Sequence, residues 1–287
     1  MNQMMNLPMM ALAEVPQRQL KVGLVGFGKT GRSVATVLLQ SPTVELHWVL
    51  RRSSTTDQRS AGEFLDVSTT DPGIIFSAEG LPAEVLLAQD PVDVIVDFSS
   101  PEGIHYYGEE AARRGIAIVT AVSQYPAETL ALLRNLANRT RVVRSPNITL
   151  GINFLLIAAR ILKNIAPETD IEIVEEHFKA KPEVSGTAKI IARHLDVPDD
   201  AIKSIRAGGI IGTHEIIFGF PYQNVRLKHE SISREAFGNG VLFALDNLPD
   251  APAGMFGMED LLIPYFRLQS PESEFTASKK KPWWKIW

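Results

Sequence analysis

The chain has 287 residues, 45% hydrophobic and 22% charged, with a formal net charge of −4. This is an ordinary globular composition with room for one large domain or two modest ones, and its acidic balance argues against a general nucleic-acid binder. The absence of cysteine excludes disulfides, thiolate catalysis and cysteine-ligated zinc.

Met1, Met4, Met5, Met9 and Met10 crowd the start, with no Lys or Arg before Arg18. A secretory signal opens on positive charge, so residues 1–18 are expected to be a loose leader and the protein cytoplasmic. No apolar run approaches the roughly 18–20 residues that cross a bilayer.

Residues 20–25 form a short apolar strand. Gly26-Phe27-Gly28-Lys29-Thr30-Gly31 follows at once, and 32–39 read as a helix. G-x-G-x-x-G between a strand and a helix lets a pyrophosphate approach free N–H groups at the helix start. The next strand, 44–50, ends in Arg51-Arg52-Ser53-Ser54. A site for the unphosphorylated dinucleotide places an acidic residue here to hold the ribose hydroxyls. Two guanidinium groups suit a phosphate instead, through forked, charge-assisted bonds. NADPH is therefore expected in preference to NADH.

A strand at 74–77 and a helix at 83–89 come next. Residues 92–98 are a continuous apolar strand of the buried, parallel type. That strand ends in Asp97-Phe98-Ser99-Ser100, and ligands of open α/β sheets gather at such carboxyl ends. Pro101 suits the first turn of a helix running to Arg114. A strand at 116–120, a helix at 126–138 and a strand at 141–144 complete an alternation that predicts a right-handed, parallel, Rossmann-like sheet.

Ser145-Pro146-Asn147 breaks the alternation and marks a hinge. After a long apolar helix at 152–165, residues 170–187 read D-I-E-I-V-E-E-H-F-K-A-K-P-E-V-S-G-T. This predicts a half-buried strand ending with His177 and Lys181 close together. Ser185 or Thr187 then caps the helix that Ala188, Ile190, Ile191 and Leu195 continue. A helix start beside an ammonium and an imidazole can hold a carboxylate and offer a proton. The same residues also suit a plain strand, solvated turn and cap. A strand at 205–207, a turn at Gly208-Gly209 and paired strands at 210–218 and 225–231 predict an antiparallel sheet with one buried face. Gly238-Asn239-Gly240 leads into a helix through Leu245. Strands after helices, without βαβ order, predict a second, smaller α+β mixed-sheet domain. His214 and His229 read as structural hydrogen-bonders, and no clustered ligands suggest a metal. The tail, S-K-K-K-P-W-W-K-I-W, suits contact with an anionic membrane surface or a partner, but reads first as a loose end or a segment docking on its own oligomer, with no part in turnover.

Taken together, V-G-F-G-K-T-G-R (25–32), D-F-S-S-P-E-G (97–103), S-P-N-I-T-L-G-I-N (145–153), I-E-I-V-E-E-H-F-K-A-K (171–181), S-G-T (185–187), R-A-G-G-I-I-G-T-H (206–214) and K-H-E-S-I-S-R (228–234) with F-G-N-G (237–240) resemble one family, 4-hydroxy-tetrahydrodipicolinate reductase, over roughly 20–265. The resemblance implies an NAD(P)H-dependent reductase of lysine and diaminopimelate synthesis, assembled as a homotetramer and acting on a dicarboxylate. It implies a dinucleotide-binding domain over 19–146 and 246–268, and a substrate-binding and oligomerisation domain over 147–245, with 269–287 as a tail. His177 is then the catalytic acid/base and Lys181 the second acid, while Ser185, Gly186 and Thr187 hold a carboxylate. Gly26, Phe27, Gly28, Lys29, Thr30 and Gly31 meet the pyrophosphate. Arg51 and Arg52 sit by the adenosine ribose, with Phe98, Ser99, Thr120 and Asn147 toward the nicotinamide.

The chain departs from the family pattern around the substrate. Phe178 stands where a second histidine is common, Glu183-Val184 replaces a longer Asp- and Pro-containing stretch, and Thr120-Ala121-Val122-Ser123 replaces G-T-T-G. Two other readings stay open on the residues alone: a reductase of the same fold acting on another imine, amino acid or keto acid, and a non-catalytic nucleotide-binding regulator.

Overall fold

A computed structural model describes residues 18–53 and 59–266. The leader before Arg18, Ser54 and the tail from 269 onward lie outside the described residues. Arg18 itself pairs with Asp93 at 3.1 Å.

The first half alternates as its pattern requires: β1 (Leu20–Val25), α1 (Lys29–Leu39), β2 (Val44–Arg51), α2 (Ala61–Leu65), β3 (Ile74–Ser77), α3 (Ala83–Gln89), β4 (Val94–Asp97), α4 (Gly103–Arg114), β5 (Ala117–Thr120), α5 (Ala127–Leu136) and β6 (Arg141–Arg144). The second half runs α6 (Leu150–Ile165), β7 (Asp170–His177), α7 (Gly186–His194), β8 (Ile202–Arg206), β9 (Gly212–Phe220), β10 (Gln223–Ser231), α8 (Glu235–Asp246), β11 (Gly254–Phe256) and α9 (Met258–Leu262).

Seven strands make a parallel sheet in the order β11-β6-β5-β4-β1-β2-β3. Strands β4 and β5 are buried along their whole length, as expected where helices cover both faces. One face carries a core of Val34, Ala35 and Leu38 from α1 with Val241, Ala244 and Leu245 from α8. The other packs Leu86, Leu87, Ile104, Tyr107, Leu133 and Leu136 from α3, α4 and α5. Strand order reverses between β1 and β4, which opens a crevice at their carboxyl ends where such sheets bind ligands.

A second sheet, ordered β10-β9-β7-β8, is mixed. β7 runs parallel to β8 and antiparallel to β9. One of its faces is covered by α6 and α7 through Ile152, Leu155, Ala159, Ala188, Ile191 and Ala192. The register puts three rungs along that face. The first is apolar: Leu227, Ile216, Ile173 and Ile202 lie side by side. The next holds His229, His214, Glu175 and Ser204. The third pairs Ser231 with Gly212 and His177 with Arg206. Alternate residues of a strand share a face, so the polar rungs follow from the spacing that makes the core.

Several bounds differ from the sequence reading. Helix α1 begins at Lys29 because Gly28 already serves as its N-cap. β8 ends at Arg206 instead of running through 207. Gly238 and Gly240 lie inside α8 instead of leading into it. A Cβ on Gly238 would meet Val37 at 2.5 Å, and one on Gly240 would meet the Ile148 carbonyl oxygen at 1.9 Å. These glycines let α8 lie against α1 and the start of α6. The return to the first sheet thus begins at Glu235, and β11 completes it by pairing with β6.

Gly240→Ala should therefore destabilise the fold by about 1–3 kcal/mol, the usual penalty for overpacking. Gly209→Ala, whose Cβ would enter open space, should change little. Urea unfolding midpoints of both variants check this.

Candidate active site

At the crevice between β1 and β4, Gly26 takes φ +97, and a Cβ there would come within 2.7 Å of the Phe98 backbone. Glycine has no such penalty. A Cβ on Gly31 would strike the Gly26 carbonyl at 2.1 Å, whereas Gly28 faces open space. α1 begins with neither an acidic residue in its first turn nor a side-chain cap, so its leading N–H groups stay available to an anion. Gly26, Phe27, Gly28, Arg51, Arg52, Phe98 and Ser99 line one cavity of about 810 Å³, and Ser53, Glu102, Gly103 and Tyr106 join them. Buried Asp97 holds the Phe98 turn. It accepts from the Ser99 N–H at 2.8 Å, the Ser99 hydroxyl at 2.5 Å and the Tyr107 hydroxyl at 2.8 Å. Burial raises its pKa despite these bonds. Open space above the glycine turn, free N–H groups and two guanidinium groups in one cavity fit a dinucleotide.

The polar end of the second sheet is built around Glu175, which is fully buried. It accepts from His177 Nδ1 at 2.5 Å, the Ser204 hydroxyl at 2.6 Å and the Ser185 N–H at 3.3 Å. Arg206 grips both its oxygens, Nη1 at 2.9 Å and Nη2 at 2.6 Å. Burial alone would raise the carboxyl. Arg206, Ser204, His177 and the Ser185 N–H outweigh it and hold the pKa at about 2. The rest of Arg206 also finds partners: Nε donates to the Lys181 carbonyl, Nη2 to that of Glu183 and Nη1 to that of Ile205. All five donors of the guanidinium are used, and the loop carrying Lys181 is tied to the carboxylate.

With Nδ1 bound to Glu175, the His177 Nε2 has no partner among the described residues. It points at Gly212, where a Cβ would stand 3.1 Å away. The His214 ring meets it edge to face, centroids 5.4 Å apart. His214 Nε2 shares a 2.8 Å hydrogen bond with the Ser185 hydroxyl, which caps α7 by accepting from the Ala188 N–H. Burial, then the charge of His177, pushes the His214 pKa down to about 3, and Lys181 adds to the effect. His214 is therefore a neutral brace between the histidine and the α7 cap, as its reading as a structural hydrogen-bonder expected.

Between the two sheets lies a cleft of about 750 Å³. Ser123, Tyr125, Arg144 and Asn147 line one side and Asn153, Thr187, Ile190 and Arg193 the other. The Asn147 amide donates to the Thr187 hydroxyl across it at 3.3 Å. Thr120 keeps its side chain out of both cavities. It is buried, and its hydroxyl is taken by the Tyr125 hydroxyl at 2.6 Å. Lys29, Thr30 and Gly31 sit in the first turn of α1 and do not line the glycine cavity. His177 and Lys181 line neither the glycine cavity nor this cleft, so in this structure the two halves of the expected site stand apart.

Residues 20–148 match the family model described as "Dihydrodipicolinate reductase, N-terminus" and 148–262 the one described as "Dihydrodipicolinate reductase, C-terminus". The chain belongs to the dihydrodipicolinate reductase family. The 4-hydroxy-tetrahydrodipicolinate reductase of Methylococcus capsulatus is 30% identical to it, over 85% of this chain and 98% of its own length. That of Caldanaerobacter subterraneus subsp. tengcongensis is 32% identical over 61% of this chain and 78% of its own. A dipicolinate-bound dihydrodipicolinate reductase from Paenisporosarcina sp. TG-14 shares the fold, with a TM-score of 0.71 at 23% identity over 85% of this chain and 99% of its own.

Glu175 and Arg206 escaped the sequence reading. A glutamate two residues before a histidine on a strand shares its face, which was the available signal for Glu175. Arg206 reaches it only through the β7–β8 register. Arg206→Ala should leave a buried charge without its main partner and cost about 3–5 kcal/mol, readable by urea unfolding. Both Glu175 and His214 have folded pKa values below their unfolded ones, so each stabilises at high pH and loses that contribution as pH falls. For His214 the window runs from about 6.5 down to about 3, and for Glu175 from 4.5 down to about 2. His214→Asn should flatten the upper part of the acid limb and keep the lower, in unfolding free energies measured across that range.

Proposed function

We propose that this chain reduces 4-hydroxy-tetrahydrodipicolinate to tetrahydrodipicolinate in lysine and diaminopimelate biosynthesis, using NADPH. The observation that carries the reading is the buried Glu175, bonded to His177 Nδ1 and the Ser185 N–H and held by the Arg206 that also clamps the Lys181 carbonyl, in a chain of this family.

Bound NADPH supplies the hydride. Gly26, Gly28 and Gly31 with the first turn of α1 would hold its pyrophosphate, and Arg51 and Arg52 its ribose phosphate. Phe98, Ser99 and Asn147 bound the approach to the nicotinamide. Replacing the ring hydroxyl by hydrogen takes up one proton besides the hydride and releases water. Glu175 on Nδ1 steadies the imidazolium of His177 and leaves Nε2 as the exchangeable position. His177 and Lys181 can then deliver the proton and place positive charge beside the ring, which lowers the barrier where charge develops. Gly186 and Thr187, at the start of α7, receive a substrate carboxylate; Ser185 shapes that turn, since its N–H is on Glu175 and its hydroxyl on His214 and the Ala188 N–H.

Because the two cavities are separate, turnover requires the second sheet with α6 and α7 to close on the nucleotide unit, to which α8 belongs through its packing on α1, with the hinge at Ser145-Pro146-Asn147. Exposed Tyr222 and Ile232, 94% and 86% accessible, support assembly of copies, a homotetramer, around the second sheet. Among the described residues no helix is long and apolar enough to cross a membrane.

NADPH oxidation with freshly made 4-hydroxy-tetrahydrodipicolinate tests the reading. Wild type should turn over. His177→Gln and Lys181→Ala should each lose about 10²–10⁴-fold in kcat/KM while still binding NADPH. NADH should give the lower kcat/KM. No turnover by the wild type sinks the assignment, and equal use of NADH sinks its cofactor part.

A further inference from the structure

We propose that Arg144 binds the second carboxylate of the substrate and sets a preference for dicarboxylates over monocarboxylates. This rests on the function proposed above and adds a specificity residue to it.

Arg144 is the last residue of β6 and pairs with Thr120 at the carboxyl end of the parallel sheet. Its guanidinium lines the cleft between the two sheets together with Asn147 and Thr187, the latter part of the cap assigned to the first carboxylate. The charges in this cleft do not balance. The Glu259 carboxylate is taken by Arg160. Arg193, on the far wall, donates Nε to the Lys189 carbonyl and meets no carboxylate among the described residues. Arg144 has no hydrogen bond or ion pair among them, and its Nε is buried without a partner. Its one contact of note is the Tyr125 ring, 5.9 Å from the guanidinium carbon. The Tyr125 hydroxyl is turned inward to Thr120, so the ring offers the guanidinium a face and no acceptor.

A buried Nε with no acceptor is costly, because that donor has left water and gained nothing. Arg206 in the same chain shows the ordinary outcome, every donor satisfied. A planar fork stacked on an aromatic face matches a carboxylate through two parallel bonds. With one carboxylate at Gly186 and Thr187, the other falls to Arg144, across the Asn147–Thr187 bridge. Arg193 adds positive charge from the opposite wall.

Calorimetric binding of pyridine-2,6-dicarboxylate and pyridine-2-carboxylate to the NADPH-loaded full chain tests this, with steady-state kinetics alongside. Arg144→Ala should weaken the dicarboxylate by about 10- to 100-fold, the loss of a charged hydrogen-bonded pair. It should leave the monocarboxylate and the KM for NADPH nearly unchanged. Arg144→Lys, which keeps the charge without the fork, should fall between. If Arg144→Ala does not fold, Arg144→Gln carries the same comparison. An unchanged ratio between the two ligands overturns the proposal, as does an equal loss of both. A wild type that shows the ligand split without reducing 4-hydroxy-tetrahydrodipicolinate would sink the assigned reaction and still support Arg144.

Discussion

The second sheet depends on one ion pair, Glu175 with Arg206. A carboxylate with no exposed surface would ordinarily neutralise or drive the strand apart. Here it stays ionised because a bidentate guanidinium, a hydroxyl, a backbone N–H and an imidazole all face it. The pair is also the point where four pieces of chain meet: β7 through Glu175 and His177, β8 through Ser204 and Arg206, the loop through the Lys181 and Glu183 carbonyls, and α7 through the Ser185 N–H. Reactive groups are best held on rigid elements, with their neighbours fixing the rotamers. His177 is held in this way from a strand, and Lys181 from a loop whose backbone Arg206 clamps.

The same sheet face serves as core and as site. The rung of Leu227, Ile216, Ile173 and Ile202 packs under α6 and α7, and the next rung along is His229, His214, Glu175 and Ser204. Two residues of strand separate hydrophobic packing from acid–base chemistry. The apolar rung keeps water away from one side of the polar one, which strengthens every electrostatic term there. Burial there holds the His214 pKa well below its usual value, and the proton transfer proposed above is given to His177.

What could be read from the residues was what lies within one turn or one strand. The glycine turn, its flanking strand and helix, and Arg51-Arg52 are contiguous, and their chemistry is local. So are His177, Lys181 and the Ser185 cap. The parallel sheet was legible because buried strands alternate with helices, and the mixed character of the second sheet because that alternation stops. Register and close approach were not legible. Arg206 is brought to Glu175 by β7–β8 pairing, and the role of Gly240 depends on the Ile148 carbonyl facing it from another element. Thr120 shows the converse: its place at a strand end was foreseen, but its hydroxyl is occupied by Tyr125. Arg144 looked like the end of a strand. Only its buried Nε, without a partner among the described residues, sets it apart.

β11 has a bearing on how the molecule is made. It is a three-residue edge strand whose partner, β6, precedes the whole of the second sheet, with Gly254 set beside Arg141. Covering one face of the parallel sheet likewise waits for α8. During synthesis, then, the first six strands leave the ribosome with an open edge and a bare apolar surface, while the four-stranded unit has all its own parts before α8 emerges. Chains generally fold in units as they are made. In this one the part that begins first can be completed only last, so the growing polypeptide leaves the nucleotide-binding sheet open to wrong partners from the end of β6 until α8 and β11 emerge.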